Sequence, residues 1–431
     1  MQDTDAVVIG AGTAGLCIAA LLANAGYKTL VLERQKWVGG RARTSRKNGF
    51  IVDYGIHTLR GNYQQVFHPL GMGVRKVRLP ISKGIIIEDR GILHKLPKIS
   101  SLFKAKTLQL KDITLLLHHL GRLALTNPKK FFNISIQQWL DSIDASARLV
   151  RLFRMLSMTL LVCPFLERAS LGEFLLNLKH INITGLGHPE GGFHQIHQSL
   201  IWKIKSSSGI LQMDAEVQDI IIENNRAVGV RVNDKEIRAK IIVSSVPVQK
   251  LHTLLDDSLL DANYRTFIKN LRPTAGISMD YGLSEKVYNE IMFLIAKPDI
   301  LGSFTSNIDH LVAPKNKQLV TFLNVLNVED IRSRAKIRDK QKLLEDKIFS
   351  LFPKFEDKIE WKRSLILEMV DGVELNIAQT QDKRPDVQVP NISNLFLASD
   401  STCAEGAGGD IAFSSAKLCF DRIQQLKNEA K

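Results

Sequence analysis

Cysteine is scarce in this 431-residue chain: Cys17, Cys163, Cys403 and Cys419 lie far apart and form no CxxC pair. That spacing argues against a disulfide framework and fits a reducing compartment. Aromatic residues make up only 7% of the chain, and no nucleic-acid motif accompanies the net charge of +14. The charge is diffuse, with Lys and Arg interleaved among Asp and Glu from 330 to 363. An anionic membrane surface or an anionic cofactor is therefore a better charge partner than nucleic acid. No GxSxG nucleophile motif is present, and there are no internal repeats or low-complexity segments. His188, His194 and His197 lie close in sequence, but spacing alone does not make a metal site, and no metal is expected. Long apolar runs are also rare. Residues 6–26 could span a bilayer by length, but Asp3 and Asp5 replace the basic start of a signal peptide. Three turn glycines and the break at Asn24-Ala25-Gly26 oppose a span as well. A cytosolic protein is expected.

The same N-terminal stretch carries the strongest positive signal. A β-rich run (Ala6 to Ile9) leads into Gly10-Ala11-Gly12-Thr13-Ala14-Gly15, then an apolar helix to about Ala25, then a second strand, Thr29 to Leu32, ending in Glu33. Gly10 permits a sharp turn, Gly12 lets the backbone approach a pyrophosphate, and Gly15 lets the helix lie close to the strands. The helix N-terminus offers free N–H groups to phosphate. Glu33, eighteen residues after Gly15, can accept hydrogen bonds from a ribose. This order of elements predicts a dinucleotide site.

The next segment separates a flavin from a nicotinamide cofactor. Trp37-Val38-Gly39-Gly40-Arg41-Ala42-Arg43 follows the acid, and Gly49-Phe50-Ile51-Val52-Asp53-Tyr54-Gly55-Ile56-His57 follows that. A nicotinamide site needs no second glycine pair and arginine. A flavin site can use both, with Arg41 on the pyrophosphate. Arg34, Lys36, Arg46 and Lys47 read as a solvated basic loop, and Asp53 as a turn stabiliser.

These segments together resemble the FAD-dependent amine oxidase and carotenoid (phytoene) desaturase superfamily. Two later blocks fit its pattern: His188 to Phe193 opening a helix, then Gly209 to Val217; and Asn394 to Asp400, then Gly406 to Ala412. The resemblance implies an α/β fold, with an FAD-binding Rossmann-like domain of the glutathione-reductase type and an inserted α+β substrate domain. The cofactor domain would comprise residues 1–75, 186–250 and 388–431, and the substrate domain 76–185 and 251–387. Helices are expected at 108–125, 134–143, 146–163 and 170–179, with a charged helix from Glu329 to Phe349. Strands are expected at Ala275 to Tyr281, Leu319 to Val325, Leu365 to Val370 and Ile241 to Pro247.

The resemblance also implies the cofactor contacts: Gly10, Gly12, Thr13, Ala14, Gly15, Glu33, Arg34, Gly39, Gly40, Arg41, Ala42, Gly55, Ile56 and His57. Val217 would touch the adenine edge through its backbone, Asp400 would hold the ribityl chain, and Gly408, Gly409, Asp410 and Ile411 would open a helix facing the flavin ring. FAD is expected to be non-covalent, because the Ser-Gly-Gly-Cys-Tyr sequence of covalent family members is absent. His57 is a candidate to touch flavin or substrate, with a structural hydrogen bond as the competing reading.

The expected activity is hydride transfer between flavin and a substrate carbon, closest to the desaturase branch and hence to a lipophilic, polyene-type substrate. The alternatives are an oxygen-dependent amine oxidase and a non-enzymatic binding protein like the Rab escort and GDP-dissociation-inhibitor proteins. Residues 100–126 place leucines among Lys104, Lys106, Lys111 and Arg122, which suggests reversible contact with an anionic membrane surface.

Overall fold

A computed structural model describes residues 4–79, 84–89, 91–95, 110–124 and 126–429. The chain begins with β1 (Thr4–Ile9), α1 (Thr13–Asn24) and β2 (Thr29–Leu32), followed by a hairpin of β3 (Thr44–Lys47) and β4 (Phe50–Asp53). Then come β5 (Lys76–Arg78), β6 (Ile85–Asp89), β7 (Ile92–Lys95) and four helices: α2 (Leu110–Ala124), α3 (Ile136–Ser142), α4 (Ala147–Leu161) and α5 (Leu171–Thr184). The chain returns through β8 (Gly187–Pro189), α6 (His194–Ser206), β9 (Ile210–Gln212), β10 (Val217–Glu223), β11 (Arg226–Val232) and β12 (Lys235–Ser244).

After α7 (Ala262–Lys269), a second series of strands follows: β13 (Ala275–Leu283), β14 (Met292–Ala296), β15 (Asp299–Ser303) and β16 (Gln318–Leu326). Helix α8 (Arg334–Leu351), β17 (Ile359–Leu367), β18 (Leu395–Leu397) and α9 (Gly409–Glu429) complete the chain.

Two seven-stranded sheets organise these elements. The first runs β10-β11-β12-β1-β2-β9, with β18 also on β12. The pairs β12–β1, β1–β2, β2–β9 and β12–β18 are parallel. Ala6, Val7 and Val8 are fully buried, as a strand covered on both faces requires. Helix α1 buries Leu16, Cys17, Ile18 and Leu22 between this sheet and α9. This is a Rossmann-like arrangement in which the parallel strands deliver Gly10, Glu33, Ser245 and the Asp400 loop to one edge of the sheet. In such sheets, ligands bind outside the carboxyl ends of the strands.

The second sheet, β17-β13-β16-β15-β14-β6-β7, is antiparallel except where β14 runs parallel to β6. Alternate side chains go to opposite layers. Phe293 and Phe322 face α8, with Ile337, Leu344 and Ile348, whereas Leu294 and Leu323 face α3–α5, with Phe153, Met158 and Phe174. Each of the three α8 side chains contributes about 1.5–3 kcal/mol by leaving water, which holds an otherwise charged helix in place.

The four expected helices of the first insert are present as α2 to α5. The strand boundaries needed correction. The strand expected at Leu365 to Val370 is β17, Ile359–Leu367, whose exposed positions alternate with half-buried ones, Trp361 alone being buried, and mask the apolar run. The strand expected at Ile241 begins at Lys235, since Asn233 and Asp234 take positive φ and fold β11 and β12 into a hairpin. The charged helix begins at Arg334, capped by the Ser333 hydroxyl, after a separate turn at Val328–Ile331. Residues assigned by sequence to the substrate insert, including Leu251, Leu254, Leu260 and Leu271, pack in the core of the first sheet.

Among the described residues, no helix is long and apolar enough to cross a membrane. Lys104 and Lys106 lie outside the described residues.

Candidate dinucleotide site

The crevice starts at the turn between β1 and α1. Gly10 takes φ +98°, a left-handed conformation that favours glycine. A Cβ on Gly15 would stand 2.0 Å from the Gly10 carbonyl oxygen and 2.6 Å from Ser245 Oγ. Helix and strand could not pack this closely with any other residue. Gly12 is the opposite case, with nothing within 4 Å of an added Cβ. It caps α1 without a side-chain hydrogen bond, which leaves the helix's first N–H groups facing the open crevice. Ala14 is buried behind it, and the Thr13 hydroxyl lies 3.0 Å from His197 Nε2.

Glu33 closes one end. Its carboxylate accepts from Ala11 N at 2.8 Å and Gln35 N at 2.9 Å, so the acid also braces the glycine loop. Val217 opens β10 just beyond, where Ala215 N donates to the Glu33 carbonyl. Arg34 turns outward, 65% exposed and 3.8 Å from Glu216.

Gly39 and Gly40 cross over the first loop. Gly39 N donates to Ala11 O at 2.8 Å, and a Cβ on Gly40 would lie 3.4 Å from Gly12 Cα. The 3-10 turn Gly40–Ala42 then aims Arg41 at Asp400, with two hydrogen bonds of 2.8 and 2.6 Å. Gly372 N adds a third at 2.7 Å. Sequence assigned Arg41 to a pyrophosphate and Asp400 to a ribityl chain; here they hold each other. Asp400 is buried at the end of β18, and a carboxylate there requires a cation or N–H donors.

At the far end, α9 begins at Gly409, where an added Cβ would again meet nothing within 4 Å. Gly408 takes φ +57° above Asp371. The side chains of the next two residues do not face the crevice. Ile411 is core, and Asp410 turns inward, with Oδ2 3.5 Å from Arg60 Nε. Burial pushes the Asp410 carboxyl up to about 7 although Arg60 opposes the shift. Asp371 rises to about 6, through burial and then repulsion by Asp400. No spacing rule ties Arg60 or Asp371 to the loops they support, and His197, weighed in the sequence only as a metal candidate, packs against Gly39 instead. Burial drives His197 down to about 3, so it stays neutral beneath Gly39.

Beyond the glycine loops, Gly55, Ile56 and His57 line a narrow pocket shared with His188, Met292 and Thr321. His57 Nε2 lies 3.0 Å from the Tyr54 carbonyl, and its ring is 5.0 Å from Phe193. Burial lowers its pKa against the pull of Asp53. His57 therefore both makes a structural hydrogen bond and faces the pocket. Asp53 accepts from Phe193 N and the Thr44 hydroxyl, fixing the start of α6. The three histidines 188, 194 and 197 do not converge, and no group of three His, Cys, Asp or Glu able to hold a metal occurs among the described residues.

Comparison with known proteins agrees with this geometry. Residues 8–70 match the NAD(P)-binding Rossmann-like domain family. Prolycopene isomerase from Daucus carota is 23% identical over 423 residues, covering 84% of this chain and 69% of the isomerase. All-trans-retinol 13,14-reductase from Homo sapiens is 28% identical over 280 residues, covering 54% of this chain and 44% of the reductase. The chain spans about half the length of most relatives it matches.

Among solved structures, an oxidoreductase from Methanosarcina mazei superposes with TM-score 0.81 at 21% identity, covering 98% of this chain and 100% of the other. Putrescine oxidase bound to putrescine gives TM-score 0.74 at 12% identity, with 99% of each chain covered. Motifs, fold and relatives point the same way: residues 8–70 carry an NAD(P)-binding Rossmann-like domain, the chain is similar in sequence to a carotenoid isomerase, carotenoid desaturases and retinol reductases, and it shares its fold with putrescine oxidase.

Proposed function

We propose that this protein binds FAD non-covalently and transfers hydride between it and a carbon of a lipophilic, isoprenoid-type substrate. The observation that carries the reading is the pair of open helix N-termini, at Gly12 and Gly409, with the Arg41–Asp400 pair between the loops that carry them. A nicotinamide dinucleotide would need the first terminus and Glu33; the second terminus and Arg41 suit a longer cofactor with a ring to stabilise. The donor set fits FAD. The α1 N-terminus and Arg41 would hold the pyrophosphate, Glu33 the adenosine ribose, and the Val217 backbone the adenine. Asp400 would hold the ribityl chain, and the α9 N-terminus would face the ring.

FAD, when bound, supplies the hydride chemistry. The protein's own residues orient and exclude water. The positive end of α9 favours negative charge beside it. The cofactor domain is assigned to about 1–75, 186–250 and 388–431, with Leu251, Leu254, Leu260 and Leu271 added to its core, and the second sheet and α2–α5 form the substrate domain.

The relatives' names support an apolar polyene over an amine. The alternatives remain an oxygen-dependent amine oxidase and a non-enzymatic binding protein, and the open crevice around Gly12 argues against the latter. Reversible contact with an anionic membrane through α2 is part of the proposal, since a lipophilic substrate must be drawn from a lipid phase. Acid precipitation of the purified protein should release all yellow colour to the supernatant, and an isoprenoid rather than an amine should bleach or restore the flavin spectrum anaerobically. A colourless protein that FAD cannot reconstitute would overturn the reading. Bleaching by amines alone would favour the amine oxidase.

A further inference from the structure

His197 stands beneath both glycine loops, and its contacts give it a chemical role beyond packing. It lies one turn into α6 and is 1% exposed. Asp53 fixes the start of that helix by accepting from Phe193 N at 3.2 Å. The imidazole touches the second loop: a Cβ on Gly39 would stand 2.8 Å from its Cε1 and 2.9 Å from its Nδ1. Its Nε2 meets the first loop, 3.0 Å from Thr13 Oγ1. Thr13 is the first residue of α1, directly after Gly12, where the helix N–H groups face the open crevice. Among the described residues, the Thr13 hydroxyl has no other hydrogen-bond partner.

The direction of this bond decides what the hydroxyl can offer a ligand. A hydroxyl has one proton and two acceptor lone pairs, whereas a neutral imidazole has one N–H and one bare nitrogen. With Nε2 bare, Thr13 donates to His197 and only its lone pairs remain. With the proton on Nε2, His197 donates to Oγ1 and the Thr13 proton stays available. The oxygens of a diphosphate accept and do not donate, so only the second arrangement suits one. The imidazole does not act by charge: burial first, then His57 and His194, keep it neutral. We infer that His197 is a positioning residue that donates its Nε2–H to Thr13 Oγ1 and so leaves the Thr13 hydroxyl proton for the diphosphate of the dinucleotide. This rests on the FAD reading above and deepens it. A hydroxyl held this way is oriented before the cofactor arrives, which lowers the ordering cost of binding.

The test titrates FAD by flavin fluorescence into the full chain as wild type, Thr13→Val, His197→Phe, His197→Gln and the double variant Thr13→Val with His197→Phe. Phenylalanine keeps a ring beneath Gly39, and glutamine can place an amide N–H where Nε2 stands. Thr13→Val and His197→Phe should each weaken FAD roughly tenfold, the worth of one hydrogen bond to a charged group. The double variant should lose no more than about twofold beyond either single one, and His197→Gln should stay within about threefold of wild type. Losses that multiply in the double variant would show His197 acting on Gly39 alone and overturn the inference. Unchanged affinity in Thr13→Val would do the same. Nitrogen NMR of histidine-labelled, FAD-loaded wild type gives a readout independent of any variant's folding. The ring beside Thr13 should carry its proton on Nε2, and a proton on Nδ1 overturns the inference. A wild type that takes up no FAD sinks the proposed function as well, whereas a flavin-loaded protein with the other tautomer sinks this inference alone.

Discussion

Arg41 and Asp400, 359 residues apart in sequence, are joined by two hydrogen bonds of 2.8 and 2.6 Å across the mouth of the crevice. This pair ties the Gly39–Gly40 loop to the end of β18, and a pyrophosphate would compete for the same guanidinium. Arg41→Ala should therefore weaken FAD at least about tenfold, or ~1.4 kcal/mol. Arg41→Lys should do nearly as much harm, since an ammonium cannot reproduce the fork. Stability should fall by more than the roughly 1 kcal/mol of an exposed pair, because buried Asp400 keeps Gly372 N as a donor but loses its cation. Flavin-fluorescence titration alongside urea unfolding checks both; wild-type FAD affinity in Arg41→Ala would remove this residue from the site.

Two glycines of one loop should respond in opposite ways to the same substitution. Gly15→Ala puts a methyl 2.0 Å from the Gly10 carbonyl oxygen, and overpacking at a site that cannot yield should cost about 3 kcal/mol. Gly12 has φ −70° and ψ 177° with open space around it. Alanine there should be neutral or stabilising by about 0.4–1 kcal/mol, yet should obstruct phosphate approach and lower FAD affinity at least tenfold. Thermal unfolding of the apo-protein and FAD titration would separate the two roles. Normal cofactor binding by Gly12→Ala would mean that the pyrophosphate lies elsewhere.

This contrast shows why part of the site was legible in sequence. Gly10, Gly12, Gly15, Glu33 and Arg41 lie in short segments whose spacing is itself the chemistry. Arg60, Asp371 and His197 reach the same region through packing of distant elements: Arg60 Nη1 donates to the Leu160 carbonyl and its Nε faces Asp410. No local pattern announces such contacts. The same applies to the fold. Helices α3 to α5 show their periodicity, but β14 is five buried residues, Met292–Ala296, too short to distinguish from a loop by alternation. Val217 opens β10 and Ile411 lies in the first turn of α9, and only the structure shows that the Ile411 side chain turns into the core.

Glu33 and Arg34 are neighbours with different fates. Glu33→Ala removes the acceptor of Ala11 N and Gln35 N and should weaken FAD by about 1–3 kcal/mol, since buried donors lose a charged partner. Arg34, largely exposed beside Glu216, should tolerate alanine with little change. Calorimetric titration of both variants tests the ordering, and the reverse order would misplace the adenosine end.

Asp410 gives a pH dependence of known sign. Its carboxyl is raised from 3.8 to about 7 in the folded protein, so between those values the native state holds a proton that the unfolded chain has lost. Its contribution to stability is complete below 3.8 and falls as pH rises towards 7, by at most about 1.4 kcal/mol per pH unit. Asp410→Asn mimics the neutral acid. The stability of wild type minus that of the variant should drop by about 3 kcal/mol between pH 5 and pH 8, measured by urea unfolding at each pH. A difference independent of pH would show that Asp410 is ionised throughout.

The surface of α2 supplies the last test. Ile113, Leu116 and Leu123 enter the core, whereas Leu110 is 68% and Leu117 46% exposed, seven residues apart and therefore on one face. Lys111 lies beside them, paired at 2.6 Å with exposed Asp144. An isolated surface leucine needs no explanation. Two on one face of a helix, next to a lysine on a strongly basic chain, fit a shallow contact with anionic lipid. Burying two leucines is worth about 3–6 kcal/mol at most, enough for reversible association and too little for permanent anchoring. Co-sedimentation with anionic vesicles should therefore occur at low salt and decline as salt screens the charge. The double substitution Leu110→Ser and Leu117→Ser should reduce it at least tenfold, and Lys111→Glu should weaken it further. If the protein stays in the supernatant at low salt, α2 is an ordinary packed helix and the substrate must reach the pocket through water or from a carrier.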